Sequence, residues 1–166
     1  MARTFSEEER LELINKVGKY FLHSKERPSC RKCVEYLKNN GISISSATVQ
    51  DYLHRFIKEN PSVADIIYDI IDGNKPKTVE DENIKNRVLL VSNMVANGLS
   101  INEVVTQTGY TKDTIHNDIT KRIFLIDVDL ALRVKESLDN HKLANLMHCN
   151  DAYLNQERNS DGTFKK

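Results

Sequence analysis

Gly109-Tyr-Thr-Lys-Asp-Thr-Ile-His-Asn-Asp-Ile-Thr-Lys-Arg122 reads as a tight turn running into a short polar helix. Gly109 is free to take the left-handed backbone that ends a preceding helix. Thr111 is a good N-cap, because its hydroxyl can accept from an orphan amide of the next turn. Ile115, Ile119 and Ile123 recur every four residues and predict one apolar stripe. The other face offers Lys112, Asp113, Thr114, His116, Asn117, Thr120 and Lys121. Short hydrogen-bonding groups between flanking cations are what a helix lying in a DNA groove needs.

The chain around this stretch has 166 residues, enough for one domain or two small ones. It is 39% hydrophobic and 29% charged, so a soluble fold with a limited core is expected. Three prolines and six glycines leave long helix-compatible stretches. No run of eighteen apolar residues exists, which predicts no transmembrane helix and no membrane partner. The opening Met1-Ala-Arg-Thr-Phe-Ser lacks the apolar run of a signal peptide, and three cysteines are an odd count. A reducing cytoplasm, with the protein on the nucleoid, is the expectation. The net charge is zero, whereas nucleic-acid binders usually show a basic footprint. Charge placement softens this. Between Ser29 and Lys58 stand five basic residues (Arg31, Lys32, Lys38, Arg55, Lys58) against Glu35 and Asp51.

In chain order, Ser6 and Glu9 have capping-box spacing and open a helix through about residue 23, with Leu11, Ile14, Val17, Phe21 and Leu22 inward. A second helix starts at Ser29, turns Cys33, Val34, Tyr36 and Leu37 inward, and ends at Asn39-Asn-Gly41. A third begins at Ser46 and carries Val49, Leu53 and Phe56 or Ile57. Pro61 suits the first turn of a fourth, with Val63, Ile66, Ile67, Ile70 and Ile71. Asp72-Gly-Asn-Lys-Pro-Lys-Thr78 is the clearest linker. A second unit follows. Ile84, Val88, Leu89, Val91 and Val95 mark its first helix, Ile101 to Gln107 a short second, and the helix to Arg122 its third. A last helix from about Asp127 to Met147 uses Leu130, Val134, Leu138 and Leu146. The polar composition from Asn150 reads as a disordered tail. The predicted organisation is an all-α protein of two tandem helix-turn-helix units of about four helices each. One covers residues 6–72 and the other 79–149, joined by 73–78 and followed by 150–166.

The two units look alike. Ala47-Thr-Val-Gln-Asp-Tyr-Leu53 matches Asp113-Thr-Ile-His-Asn-Asp-Ile119, pairing Thr48 with Thr114, Val49 with Ile115 and Leu53 with Ile119. Upstream, Glu35-Tyr-Leu lies on Glu103-Val-Val and Gly41 on Gly109. A single helical domain with shared periodicity is the competing reading.

From Gly109 to about Lys142 the sequence resembles the stage III sporulation protein D family of bacterial transcriptional regulators. Thr-Ile-His-Asn-Asp-Ile-Thr and the later Leu-Asp-Asn-His-Lys carry the resemblance most specifically. With the helix from Ile84, the resemblance spans residues 84–142. It implies a helical fold, sequence-specific binding of double-stranded DNA, no cofactor and no catalysis. It puts the recognition role on Lys112, Asp113, Thr114, His116, Asn117 and Lys121. Two features depart from the family. Leu143-Ala-Asn-Leu-Met-His-Cys-Asn-Asp151 is not basic where the family has a basic DNA-contacting extension, and an additional N-terminal unit is present.

Other chemistry is weaker. Cys30-Arg-Lys-Cys33 has the gap of a zinc knuckle, but four ligands would require His148 and Cys149 as well. The plainer expectation is a small core residue at Cys33 and a helix start at Cys30. No phosphate loop or catalytic constellation appears, so neither an enzyme nor a small-molecule ligand is expected. Asp113 and Asp118 read as helix-dipole partners or selectors against wrong phosphates. The expected function is DNA-binding transcriptional regulation, with recognition helices at about 46–57 and 112–122. Asn117 and His116 would read bases, and Lys112 and Thr114 would lie near bases or phosphates. Lys121 and Arg122 would hold the backbone. In the first unit Ser46, Thr48 and Gln50 would face DNA, with Arg55 on phosphate. Self-association stays open. The alternative is a protein-interaction module that uses the same helices as a docking surface.

Overall fold

The computed structural model describes residues 5–74, 79 and 81–154, with side chains through residue 148. Every regular element among them is helical, so the fold is all-α. The N-terminal half holds α1 (Glu7–His23), α2 (Cys30–Asn39), α3 (Ser46–Glu59), a 3-10 turn (Pro61–Val63) and α4 (Ala64–Asp72). The C-terminal half holds α5 (Glu82–Ala96), α6 (Ile101–Thr108), α7 (Lys112–Asn117), a π turn (Asp118–Arg122), α8 (Ile123–Ile126) and α9 (Val128–Leu154).

The helix starts follow local capping chemistry. Ser6 and Glu9 form a reciprocal capping box, as do Ser100 and Glu103. Ser29, Ser45, Asp81 and Thr111 each accept an amide of the turn they precede. Gly109 ends α6 at φ +75°, a conformation that costs a β-carbon-bearing residue strain. Gly18 serves a different end. A β-carbon there would lie 2.5 Å from the Phe56 ring, so its absence lets α1 and α3 approach closely.

α1 packs on α3 and α4, and α2 packs on α3. α5 packs on the π turn, α8 and α9, and α6 packs on α7. Most of the predicted core is buried, including Ile14, Val17, Phe21, Val49, Phe56, Ile67, Val88, Val95, Ile115 and Val134. Three inward assignments need correction. Leu11 is exposed, at the open end of α1 beside Arg55 and Glu59, and Leu13 takes the buried place. Tyr36 is exposed on α2 and tilts against Tyr20. Leu146 is exposed because α9 outruns its partner. His141 Nε2 donates to the Gly98 carbonyl just past the end of α5, and the stretch with Leu143, Leu146 and Met147 follows.

α9 also reaches Leu154, beyond the predicted end near Met147, so the first residues assigned to a tail are helical. Residues 155–166 lie outside the described residues, as do 75–78 of the predicted linker. Its start, Gly73, caps α4.

The halves touch directly. Lys19 Nζ lies 2.5 Å from Asp129 Oδ1 at the start of α9. His23 Nε2 donates to the Phe124 carbonyl at 2.9 Å. Lys135 of α9 donates to the Glu59 carbonyl and lies 3.4 Å from Oδ1 of buried Asn60. The buried residues of both halves form one contiguous apolar cluster.

Candidate nucleic-acid interface

The site begins with the stripe. Ile115, Ile119 and Ile123 are all buried, as their spacing predicts. An α-helix has 3.6 residues per turn, so a strict four-residue repeat drifts around the axis. One wider π turn at Asp118–Arg122 offsets that drift and keeps all three isoleucines on the core. The same wide turn fixes which side chains remain outside.

Lys112, Asp113, His116, Asn117 and Lys121 are exposed. Among the described residues, the side chains of Lys112, His116, Asn117 and Lys121 have no hydrogen-bonding partner, so their donors and acceptors are available to an external one. The other predicted residues are differently placed. Thr114 is half-buried, and its hydroxyl is 2.9 Å from that of the Thr111 cap. Arg122 turns inward, with Nη1 2.5 Å from Oδ1 of Asp118.

Asp118 itself is wholly buried, which overturns its reading as a dipole partner or a selector facing phosphate. Its carboxylate also takes Arg87 of α5, from Nε at 2.7 Å and Nη2 at 3.2 Å. The Arg87 guanidinium lies over the Tyr110 ring, 5.6 Å from its centre. The hydrogen bond to Asp118 holds the Arg87 guanidinium above its ordinary pKa. The cluster ties α5, the turn and the helix foot together, and its two cations exceed its one anion. Neither Arg87 nor Tyr110 was singled out in the sequence. The signal for Asp118 is an acid between Ile115 and Ile119 of the stripe, with an arginine four residues on. Nothing local pointed to Arg87, thirty-one positions upstream.

The start of α3 has a cap of the same geometry. Ser45 Oγ is 2.9 Å from Thr48 Oγ1 and accepts the Thr48 amide, as Thr111 does for Thr114. Val49 and Leu53 are buried like Ile115 and Ile119. Ser46 is exposed at the first position of α3, one residue after the cap. Gln50 and His54 open onto a groove floored by Phe21, Leu53, Ile57 and Ile71 and edged by Arg27 and Tyr68. Arg55 lies in a shallow cleft with Glu7, Glu8 and Glu59, an acidic setting for a phosphate contact. The register upstream also differs from the pairing of Glu35 with Glu103. The caps and buried positions align Ser29 with Ser100 and Cys33 with Val104.

That alignment gives the cysteines a place. Cys30 starts α2, and Cys33 is buried, where desolvation pushes its thiol up to about 12. Among the described residues no group of three His, Cys, Asp or Glu is placed to hold a metal, and the Cys149 side chain lies outside them. Among the described residues, no helix is long and apolar enough to cross a membrane.

Comparison with known proteins follows the same division. Residues 81–157 match the family described as stage III sporulation protein D. The match begins at Asp81, the cap of α5. Stage III sporulation protein D of Bacillus subtilis (strain 168) is 37% identical over 60 residues, covering 36% of this chain and 64% of that relative. The match therefore spans less than two-thirds of the relative's length. No solved structure matches the chain.

Proposed function

We propose, taking residues 81–157 as a stage III sporulation protein D family unit, that this protein binds double-stranded DNA in a sequence-specific way and regulates transcription. One observation carries the reading. Lys112, His116, Asn117 and Lys121 stand exposed on one side of a helix whose other side is locked by Ile115, Ile119 and Ile123. Asn117 and His116 would meet base edges in the major groove, and Lys112 and Lys121 would meet phosphates. No catalytic step is part of this function.

The N-terminal half is proposed as a second, duplicated unit. Its matching cap and buried stripe support duplication. Its exposed face differs, because Gln50 opens onto an apolar groove and Arg55 sits among acids. Thr48 spends its hydroxyl on the cap, which leaves Gln50 and Ser46 as its candidate base readers. That groove is the observation favouring the second reading, a docking surface for protein in the N-terminal unit.

Site selection on random duplexes at fixed salt, followed by two substitutions, tests the proposal. Asn117→Ala should weaken binding to the selected duplex more than to random DNA, by about 1–3 kcal/mol. Lys121→Ala should weaken both and flatten the salt dependence. Equal losses on both duplexes from Asn117→Ala would remove it as a reader. Gln50→Ala and Arg55→Ala in the full chain test the first unit, because the docked halves make deletion of residues 1–78 a test of folding as well.

A further inference from the structure

We propose that Arg87 is a further contact to the DNA backbone, held in place by Asp118 and Tyr110 as positioning residues; this rests on the DNA-binding reading above. Arg87 belongs to α5, outside the reader helix, yet its guanidinium spans from the turn residue Tyr110 to Asp118 at the foot of α7. The edge formed by Nε and Nη2 is committed to the carboxylate. The other edge, Nη1 with the second N–H of Nη2, has no partner among the described residues. A planar fork with one edge fixed presents the other at a set angle, which suits two oxygens of one phosphate.

The charge count points the same way. Two guanidiniums share a single carboxylate that is wholly buried, whereas the arginine side chains are 22% and 40% exposed. One arginine would neutralise Asp118. The second leaves a positive charge in excess, partly shielded from salt, at the foot of α7. Tyr110, 36% exposed, covers one face of the Arg87 guanidinium and leaves its rim accessible. A buried ion pair is weak evidence of a purely stabilising role, because desolvation offsets most of its attraction. A preorganised anion contact accounts for the second cation.

The full chain is titrated with a duplex selected from random sequence and with a random duplex, across a range of salt concentrations. Arg87→Gln should make the slope of log K against log salt shallower by about 0.9, the release from one phosphate contact. Affinity should fall about tenfold on both duplexes, with native helicity by circular dichroism. Arg87→Lys should restore the slope, since it keeps the charge. Asp118→Asn keeps both cations, so an unchanged slope would reduce Asp118 to a structural residue, and a shallower one supports positioning. An unchanged slope for a natively helical Arg87→Gln overturns the proposal. Should that variant lose its fold, Arg87→Lys decides: about threefold weaker binding supports the fork, and native affinity sinks it. Normal loss in Lys121→Ala beside an inert Arg87 would leave the DNA reading standing. Absence of salt-dependent binding by the native chain would remove that reading itself.

Discussion

Asp118 holds two arginines from beneath the surface. Replacing it with alanine leaves two guanidiniums facing each other without their anion. A cost of about 3 kcal/mol is expected, from the usual penalty for breaking a buried pair. Urea unfolding measures it, and a loss below about 1 kcal/mol would mean the arginines relax freely into solvent. Ser92 is the opposite case. Its hydroxyl is buried inside α5 with no partner among the described residues. Ser92→Ala should stabilise the protein by about 1 kcal/mol, because it removes an unsatisfied group at little cost in volume. Destabilisation by that substitution would reveal a water or a partner at the hydroxyl. Cys33 can be checked chemically. Burial and a raised pKa keep it as a thiol, so in native protein Cys30 should alkylate well before Cys33.

At the scale of elements, periodicity and capping were legible in sequence, and departures from a straight α-helix were not. The three isoleucines, the Thr111 cap and the Gly109 turn all follow from local spacing, and each is found where it was expected. The π turn was hidden because a four-residue apolar repeat looks the same in both helix types over so short a span. The inward turn of Arg122 was hidden for another reason: its anion is buried only once α5 packs against the turn. Leu146 misled because its stripe position is correct but α5 ends before it. Caps give the cleanest test here. Thr111→Ala should cost about 1 kcal/mol, and Ser45→Ala a similar amount if α3 and α7 start in the same way. Acid should act through the α6 box. Hydrogen bonds from Ser100 hold the Glu103 carboxyl below its ordinary range. Its contribution is therefore complete above that range and lost as pH falls through the lowered value. Glu103→Gln should flatten the acid limb of a melting-temperature profile and leave neutral pH nearly unchanged.

The whole molecule raises the question of whether its two halves behave as one. The chain as a whole has a net charge of zero, so DNA affinity would have to come from local placement of cations. Placement depends on how the halves are held. Among the described residues, three side chains make polar ties between them: Lys19 to Asp129, His23 to the Phe124 carbonyl, and Lys135 to Glu59 and Asn60. Asn60 is central, because it is buried and also donates to the Phe56 carbonyl at the end of α3. Lys135 thus ties the end of α3 to the long helix α9. With the apolar clusters continuous across this seam, opening one half would uncover the core of its partner. The full chain should therefore unfold in a single transition, with circular dichroism and tyrosine fluorescence coincident. Lys135→Met removes the polar tie and keeps much of the stem's apolar contact. It should lower stability by about 1–2 kcal/mol, through the Asn60 oxygen and Glu59 carbonyl left without their donor. Hydrogen exchange locates the effect. If the halves are coupled, amides of α3 and α9 should lose protection together in that variant. Loss confined to α9 would show that the units fold independently and that the orientation of α3 relative to α7 is not held by this seam.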